Sequence, residues 1–426
     1  MKKLIAIVFA SFFLLFNVIP AVKATVATPP SVSADSVVLL DATTGKILYE
    51  KNKDSAYPPA STTKIMTILL VLENSKLDDI VTVSKNASLT EGSRIYLVEG
   101  EKISVKELLY GLILASANDC AVALAEHISG STEKFAKLMN ERAASLGCKN
   151  TNFVNPNGLY NINHKTSAYA LSLIMQELTK HKEYKVIATT PTYKMAATNK
   201  SKLQRPLWNE NRLIQKDDRY YYPDSEGGKT GYTIQSKHSY IAVATRNGQK
   251  LIVALVHDSK KTFFPDSIKL LNYGFDNFEL SKQFKKNDVV SKLTLGDGTS
   301  VPLLASKDLY ILKAKNSTST ATVTTEQNKK DLSSFKKGDL ISKATIVFGE
   351  NSYTLDLTSG MDYSKKIPVV SNSFLNNNLN NPKLISILKY VAIALVILLI
   401  LRGLNIKRRR RKTKLKRFID NLNNKR

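Results

Sequence analysis

The chain has 426 residues, which is long enough for two domains with sizeable hydrophobic cores. Its formal net charge is +26, from 62 Lys and Arg against 36 Asp and Glu, and the last 22 residues hold eleven of the basic residues and one Asp. Because the rest of the excess is spread along the chain, the charge does not indicate nucleic-acid binding, and no nucleic-acid partner is expected.

The N-terminus has the pattern of a secretory signal peptide. A basic start precedes an apolar run over residues 4–19, and small residues lead to a cleavage point after Ala24. This pattern predicts export and assigns residues 1–24 to the signal. The alternative is a retained membrane anchor, which the break at Pro20 disfavours.

Two predicted β-hairpins frame residues 30–280, the segment that we assign to a catalytic domain. The first spans Ser36–Asn52, and the second spans Ser239–Asp258 with its turn at Asn247-Gly248. Between them, apolar residues recur mostly at helical spacing. Strands at both ends with helices between them predict one α+β domain, whose sheet joins distant parts of the chain.

The first candidate for chemistry is Ser61, in the sequence PPASTTKIMT. The prolines predict an extended entry and the apolar residues after them a helix, so the hydroxyl is expected at a helix N-terminus, where negative charge is favoured. Lys64 lies three residues on, on the same helix face. If it is buried, its pKa falls and it can act as a general base. On this motif alone, an N-cap serine beside an exposed lysine remains an alternative.

A second polar segment, Ser116 to Asp119, interrupts an apolar helical run. Burial of Ser116, Asn118 and Asp119 is costly unless each side chain is hydrogen-bonded, so a polar site is predicted here. The alternative is a helix break with an Asn cap. The chain's two cysteines, Cys120 and Cys148, are too few for a disulfide scaffold, and Cys120 is expected to be a buried thiol.

The third segment is Lys229-Thr230-Gly231, directly before the second hairpin. A glycine-flanked strand lets a substrate backbone approach closely, and the Lys and Thr side chains offer donors to a carboxylate. A phosphate-binding P-loop is excluded because the G-x-x-x-x-G-K-[ST] spacing is absent. The five histidines show no H-E-x-x-H or similar spacing, so neither a metal nor a cofactor is expected.

The pattern changes from about Gln283 onward. Short alternating runs over residues 283–365 predict a small, β-sandwich-like all-β domain. Residues 366–383 are polar and Asn-rich and are assigned to a linker, and residues 384–404 are apolar and long enough to span a bilayer. The basic tail, residues 405–426, predicts a cytoplasmic C-terminus. We therefore expect a single-pass cell-membrane protein with its catalytic domain outside the cytoplasm.

In this order, Ser-x-x-Lys, Ser-x-Asn and Lys-Thr-Gly form a signature associated with penicillin-binding proteins and β-lactamases. From about Ser36 to Asp362 the sequence resembles the low-molecular-mass penicillin-binding proteins, specifically the serine D-alanyl-D-alanine carboxypeptidases. FVNPNGLYNINH, at residues 153–164, and WNENRL, at residues 208–213, are similar to segments of that family. The resemblance implies a penicillin-binding/β-lactamase-like transpeptidase fold, with an antiparallel sheet and a helical subdomain, followed by the small all-β domain and one C-terminal transmembrane helix.

The resemblance also implies a reaction. Ser61 would attack the carbonyl between the two terminal D-alanines of a peptidoglycan stem peptide, with Lys64 as base. Ser116 would relay a proton toward the leaving amine, and the backbone N–H groups of Ser61 and Tyr232 would bind the oxyanion. Water would then release the shortened peptide. β-Lactam antibiotics would acylate Ser61 as inhibitors.

Four further residues are implied to bind the substrate. Asn118 would hold the substrate backbone, and Lys229 and Thr230 would hold the terminal carboxylate. Gly231 belongs to the same substrate-binding strand.

Three other functions fit parts of the pattern. A class A β-lactamase needs a glutamate-held water, typically in Glu-x-x-Leu-Asn, and the corresponding FVNPNGLY has no acidic residue. A D,D-endopeptidase would cut peptide cross-links with the same residues, and the sequence leaves it open. A catalytically silent, membrane-anchored wall-binding protein belongs to a different class, which the three intact motifs disfavour.

Overall fold

The computed structural model of the chain describes residues 27–315, 317–326, 332–365 and 382–423. The predicted signal peptide and the predicted linker up to residue 381 lie outside these ranges. The helices are α1 (Lys64–Asn74), α2 (Lys85–Ser88), α3 (Val105–Leu114), α4 (Asn118–Ser129), α5 (Thr132–Ser145), α6 (Ala168–Leu178), α7 (Lys182–Ala188), α8 (Phe263–Asn277) and α9 (Pro382–Asn423), with one-turn 3₁₀ helices at Ala60–Thr63 and Arg212–Ile214. The strands are β1 (Ser36–Asp41), β2 (Ile47–Lys51), β3 (Ile80–Thr82), β4 (Lys102–Ser104), β5 (Thr192–Met195), β6 (Arg205–Trp208), β7 (Ser225–Thr233), β8 (Lys237–Arg246), β9 (Gln249–Asp258), β10 (Phe278–Phe284), β11 (Val289–Thr294), β12 (Ser300–Ala305), β13 (Leu309–Ala314), β14 (Thr322–Thr325), β15 (Ser334–Phe335), β16 (Leu340–Phe348), β17 (Asn351–Ser359) and β18 (Tyr363–Ser364).

A five-stranded antiparallel sheet organises the first domain, in the order β2-β1-β9-β8-β7. Both predicted hairpins are present, and Arg246 pairs with Gln249 across the predicted Asn247-Gly248 turn. Strand β1 lies beside β9, with Ser36 opposite Val256. The sheet therefore joins residues more than 200 positions apart, as the α+β prediction requires.

Both faces of this sheet are buried. On β1, Val38 and Leu40 pack into the core formed with α1, α3, α4, α5 and α6, whereas Val37 and Leu39 pack into the core formed with α8. Successive side chains of a strand point to opposite faces, so a strand covered on both sides is apolar at every position rather than at every second one. This explains the uninterrupted apolar run of β1.

The polar segment at Ser116 breaks the apolar run into two helices. Helix α3 ends at Leu114 and α4 begins at Asn118, and between them Ser116 adopts a left-handed backbone conformation with φ of 55°. A non-glycine residue adopts this conformation at a cost in free energy that the surrounding structure must offset. The break leaves Ser116 in the connection between the two helices.

The small all-β domain is present as predicted. Its main sheet has the order β11-β12-β17-β16-β14, and β10 pairs with β13 beside it. Strands β16 and β17 pair along their whole length, from Phe348 opposite Asn351 to Lys343 opposite Asp356 and beyond. Buried Ile346, Leu355 and Leu357 alternate with more exposed residues on these two strands, which is the period-two pattern of the sequence.

The C-terminal part forms a separate compact unit that contains the short β15–β18 pair and helix α9. The stretch Pro382–Lys414 is long and apolar enough to cross a membrane and is a candidate anchor. The helix is longer than the predicted span of residues 384–404, because it continues through the basic tail. Lys and Arg are good helix formers, so the tail does not end the helix.

Candidate active site

Ser61 lies inside the one-turn 3₁₀ helix that leads into α1. Two glycines let other segments approach this turn closely. A Cβ on Gly231 of β7 would lie 2.8 Å from the Ser61 nitrogen, and a Cβ on Gly158, which has φ of +84°, would lie 1.9 Å from the Ala60 carbonyl oxygen. The turn that carries Ser61 is therefore held between strand β7 and the loop at Gly158, where no larger residue fits.

Lys64 is fully buried and connects two of the sequence motifs. Its Nζ lies 2.9 Å from Ser61 Oγ, 2.7 Å from Asn118 Oδ1 and 2.7 Å from the carbonyl oxygen of Asn157. The Asn118 side chain in turn donates from Nδ2 to the Glu91 carbonyl at 2.7 Å, which fixes the orientation of its amide. The sequence pattern did not reveal Asn157, although it lies in the FVNPNGLY segment.

Burial determines the charge of this amine. The loss of hydration drives the pKa of Lys64 well below its usual value, and the nearby positive charge of Lys229 lowers it further. A neutral amine can donate its two N–H groups to Asn118 and Asn157 and direct its lone pair at the Ser61 hydroxyl. In this state Lys64 can accept the Ser61 proton, which is the chemistry of a general base.

A cleft of about 600 Å³ opens beside Ser61. Residues from all three motifs line it, together with Glu210 and residues from β8 and α8: Ser61, Ser93, Ser116, Glu210, Thr230, Gly231, Tyr232, His238, Lys261, Phe263 and Phe264. Ser116 is nearly buried, and within the described residues its hydroxyl has no hydrogen-bond partner. The Tyr232 ring stacks on His238 with ring centroids 4.4 Å apart.

The remaining polar residue of the second motif is satisfied by the backbone. The buried Asp119 carboxylate accepts hydrogen bonds from the N–H groups of Ile95 and Leu97, both at 3.1 Å, and of Cys120 at 2.9 Å. These bonds hold the loop that contains Ser93 against the start of α4. Cys120 is a buried free thiol, as expected, and Cys148 is also free.

Lys229 and Thr230 meet a carboxylate that the sequence analysis did not identify. Thr230 Oγ1 lies 3.1 Å from Glu210 Oε2, and Lys229 Nζ lies 3.5 Å from the same oxygen and 3.1 Å from the Thr230 carbonyl. Burial lowers the pKa of Lys229, and the Glu210 charge opposes that effect. Glu210 belongs to the WNENRL segment, but no local pattern indicates its contact with a strand that begins 15 residues later.

His164 forms a hydrogen bond to the one-turn helix that carries Ser61. Its Nδ1 accepts the Val154 N–H at 3.0 Å, so the ring proton resides on Nε2, which donates to Thr63 Oγ1 at 2.8 Å. Burial lowers the pKa of His164 to about 4. The neutral ring thus joins the 153–164 segment to the residue that precedes Lys64.

Known proteins are similar to this chain over most of its length. Residues 23–260 match the family described as D-alanyl-D-alanine carboxypeptidase, and residues 278–371 match the penicillin-binding protein 5 C-terminal domain. The D-alanyl-D-alanine carboxypeptidase DacF of Bacillus subtilis is 38% identical over 66% of this chain and 73% of its own length. DacC of Escherichia coli is 32% identical over 77% and 82%. The structure of penicillin-binding protein 5 from Haemophilus influenzae, 31% identical, superposes with a TM-score of 0.68 over 80% of this chain and all of that one.

The fold and the family match identify a serine peptidase of the penicillin-binding class. This confirms the family resemblance that we inferred from the sequence. The chain belongs to the D-alanyl-D-alanine carboxypeptidase family, peptidase family S11, and its second domain is of the penicillin-binding protein 5 C-terminal type. It is a carboxypeptidase hydrolase with a role in the cell wall.

The buried neutral His164 predicts a loss of stability in acid. Its pKa is lowered from 6.5 to about 4 in the folded state, so between these values the unfolded chain binds a proton that the folded chain excludes. Stability is therefore complete above pH 6.5 and falls as the pH drops toward 4, by about 3 kcal/mol in all. Urea unfolding of the full chain in detergent from pH 7 to pH 4 measures this loss.

The matched control is His164→Gln, whose amide can occupy the same two hydrogen bonds but does not titrate. We expect the free energy of unfolding of the wild type to fall relative to that of this variant as the pH falls from 7 to 4. Parallel pH profiles for the two proteins would show that His164 does not contribute in this way.

Proposed function

We propose that the chain removes the terminal D-alanine from peptidoglycan stem pentapeptides through an acyl-enzyme on Ser61. The observation that carries this proposal is the 2.9 Å contact between Ser61 Oγ and the fully buried Lys64 Nζ. Lys64 takes the hydroxyl proton as Ser61 attacks the carbonyl between the two D-alanines. The tetrahedral oxyanion that forms is stabilised by the backbone N–H groups of Ser61 and Tyr232.

Collapse of this intermediate breaks the peptide bond and needs a proton for the leaving amine. Ser116 relays that proton, a role supported by its place in the same cleft as Ser61 and by its hydroxyl, which no other described residue engages. Asn118 uses its second amide hydrogen for the substrate backbone. Water then hydrolyses the ester on Ser61 and frees the shortened peptide.

The terminal carboxylate of the substrate binds Lys229 and Thr230. Two facts support this assignment: both residues already contact one carboxylate oxygen, that of Glu210, and Thr230 lines the cleft beside Ser61 while Lys229 is almost fully buried next to it. Gly231 lets β7 lie against the Ser61 turn, since a side chain there would collide with that turn, and so it brings the strand that binds the substrate beside the nucleophile. β-Lactams combine a reactive amide with a carboxylate, so they acylate Ser61 as inhibitors.

Replacement of Ser61 tests the nucleophile. We expect the wild-type full chain in detergent to release one D-alanine from a muropeptide ending in D-Ala-D-Ala, to leave a cross-linked dimer intact and to bind labelled penicillin covalently. Ser61→Ala removes the attacking oxygen, so both D-alanine release and labelling fall to background, while thermal unfolding is unchanged. Mass spectrometry of the peptides and gel fluorescence of the label measure these outcomes.

Ser131→Ala is the matched control, because Ser131 begins another Ser-x-x-Lys sequence but serves as the N-cap of α5. Loss of the Ser131 hydroxyl lowers the free energy of unfolding by about 1 kcal/mol and leaves covalent penicillin labelling intact. Residual labelling of Ser61→Ala contradicts the assignment of the nucleophile. Cleavage of the dimer by the wild type indicates a D,D-endopeptidase, and no reaction with either substrate or penicillin indicates a silent wall-binding protein.

Replacement of Lys229 tests the carboxylate site. Lys229→Ala removes a charged donor, and such hydrogen bonds contribute about 1.5–3 kcal/mol, so kcat/KM for a free-carboxylate peptide falls roughly 10- to 100-fold. The same peptide with a C-terminal amide loses much less. Lys137→Ala, which removes one charge from an exposed helix position, controls for net charge. Equal falls in kcat/KM for the two peptides would show that Lys229 does not bind the terminal carboxylate.

We propose that helix α9 spans the cell membrane, with the catalytic domain outside and the basic tail in the cytoplasm. The support is that the helical stretch Pro382–Lys414 is apolar enough over part of its length to cross a membrane, and that six consecutive basic residues, 407–412, follow its apolar part. Protease added to intact cells should digest the catalytic domain and leave a C-terminal epitope tag protected. Digestion of the tag in intact cells would contradict this orientation.

A further inference from the structure

Glu210 occupies the two donors that we assign to the carboxylate of the substrate. Its Oε2 accepts the Thr230 hydroxyl at 3.1 Å and lies 3.5 Å from Lys229 Nζ. The Lys229 side chain is only 3% exposed, whereas the Glu210 side chain is 45% exposed. The free site therefore already holds a carboxylate, and that carboxylate belongs to the protein.

The backbone at Glu210 is held by hydrogen bonds, whereas its side chain is 45% exposed to solvent. The Glu210 N–H donates to the Leu114 carbonyl at 3.1 Å, at the end of α3. The neighbouring Asn209 side chain donates to the carbonyls of Ala188 and Thr190, both at 3.0 Å. These bonds hold Glu210 at the edge of the cleft, and its half-exposed carboxylate can rotate into solvent without any movement of the backbone.

Glu210 and a substrate carboxylate cannot use the site together. The Thr230 hydroxyl has one proton, and it donates that proton to Glu210. A second carboxylate at the same donors would also face the Glu210 charge at hydrogen-bond distance, where like charges repel strongly. Binding of a free-carboxylate peptide thus requires that Glu210 leave Thr230 and Lys229.

A displaced Glu210 has a second cationic environment nearby. Glu210 also lines a neighbouring cleft of about 420 Å³, whose wall includes Arg94. The Arg94 guanidinium lies 5.0 Å above the Tyr96 ring and forms no ion pair with any residue that the structure describes. A Glu210 side chain that rotates into this cleft leaves Lys229 and shares the cleft with the Arg94 guanidinium.

We propose that Glu210 is a specificity-determining residue, an internal carboxylate that competes with the terminal carboxylate of the substrate for Lys229 and Thr230. The inference rests on the proposed function of this site. Competition weakens the binding of free-carboxylate peptides and leaves the binding of peptides without that carboxylate unaffected. It therefore reduces the difference in affinity between the two kinds of peptide.

Glu210→Gln in the full-length chain tests this role, because it keeps the shape of the side chain and removes its charge. We expect KM for N-acetyl-D-alanyl-D-alanine peptides to fall about 1.5- to 5-fold, the range for an ion pair that is partly open to water. The kcat value stays within about twofold, since Glu210 is displaced in every productive complex. The C-terminal amide of the same peptide shows no change in KM.

Glu141→Gln is the matched control, since it removes the same charge from an exposed position on α5, and it should change neither constant. An unchanged KM, or an equal fall for the acid and the amide, overturns the competition. A rise in KM for the acid also overturns it, because Glu210 would then support Lys229 rather than compete for it.

A binding measurement separates this inference from the proposed reaction. In a Ser61→Ala background, calorimetric titration with N-acetyl-D-alanyl-D-alanine should show about 1.5- to 5-fold tighter binding when Glu210→Gln is added. The affinity for the C-terminal amide of the same peptide should not change. Equal affinity with and without the Glu210 change overturns the inference, even if the wild type proves to be an active carboxypeptidase. Tighter binding supports it, even if the wild type releases no D-alanine.

Discussion

The site depends on a lysine side chain that is completely buried among uncharged partners. The three groups around Lys64 Nζ are a hydroxyl, a side-chain amide and a backbone carbonyl, from Ser61, Asn118 and Asn157. A carboxylate in any of these places would have stabilised the ammonium form and kept the amine protonated. Neutral partners satisfy its hydrogen bonds without that stabilisation, so burial lowers its pKa and makes the amine available as a base.

Lys229, the second lysine of the site, is also buried but has a different partner. Glu210 lies beside it and opposes the fall of its pKa, while Lys229 itself adds to the fall at Lys64. Glu210 contacts Lys229 but not Lys64, so its charge favours the ammonium form more directly at Lys229. In the proposed mechanism this difference leaves Lys64 as the base and Lys229 as the cation that binds the carboxylate. Environments that push the pKa values of neighbouring groups apart commonly divide the acid–base roles of an active site.

The fold brings these groups together by close backbone approach. Strand β7 can pass beside the Ser61 turn only because residue 231 is glycine, and the loop at Gly158 meets Ala60 for the same reason. Ser116 reaches the cleft through a left-handed conformation between α3 and α4, held in place by packing on both sides. Strand β7 belongs to the five-stranded sheet, which is buried on both faces and holds Gly231 and its neighbours in place.

The sequence by itself determined the hairpins, the small all-β domain, the long apolar C-terminal helix and the order of the three motifs, because periodicity and turn residues report local structure. It also indicated that Lys64 faces Ser61, since that contact spans one helical turn. Only the tertiary structure decided the contacts of Asn157 and Glu210 and the break at Ser116. These depend on which distant segments pack together, and the spacing of residues along one segment carries no information about that packing.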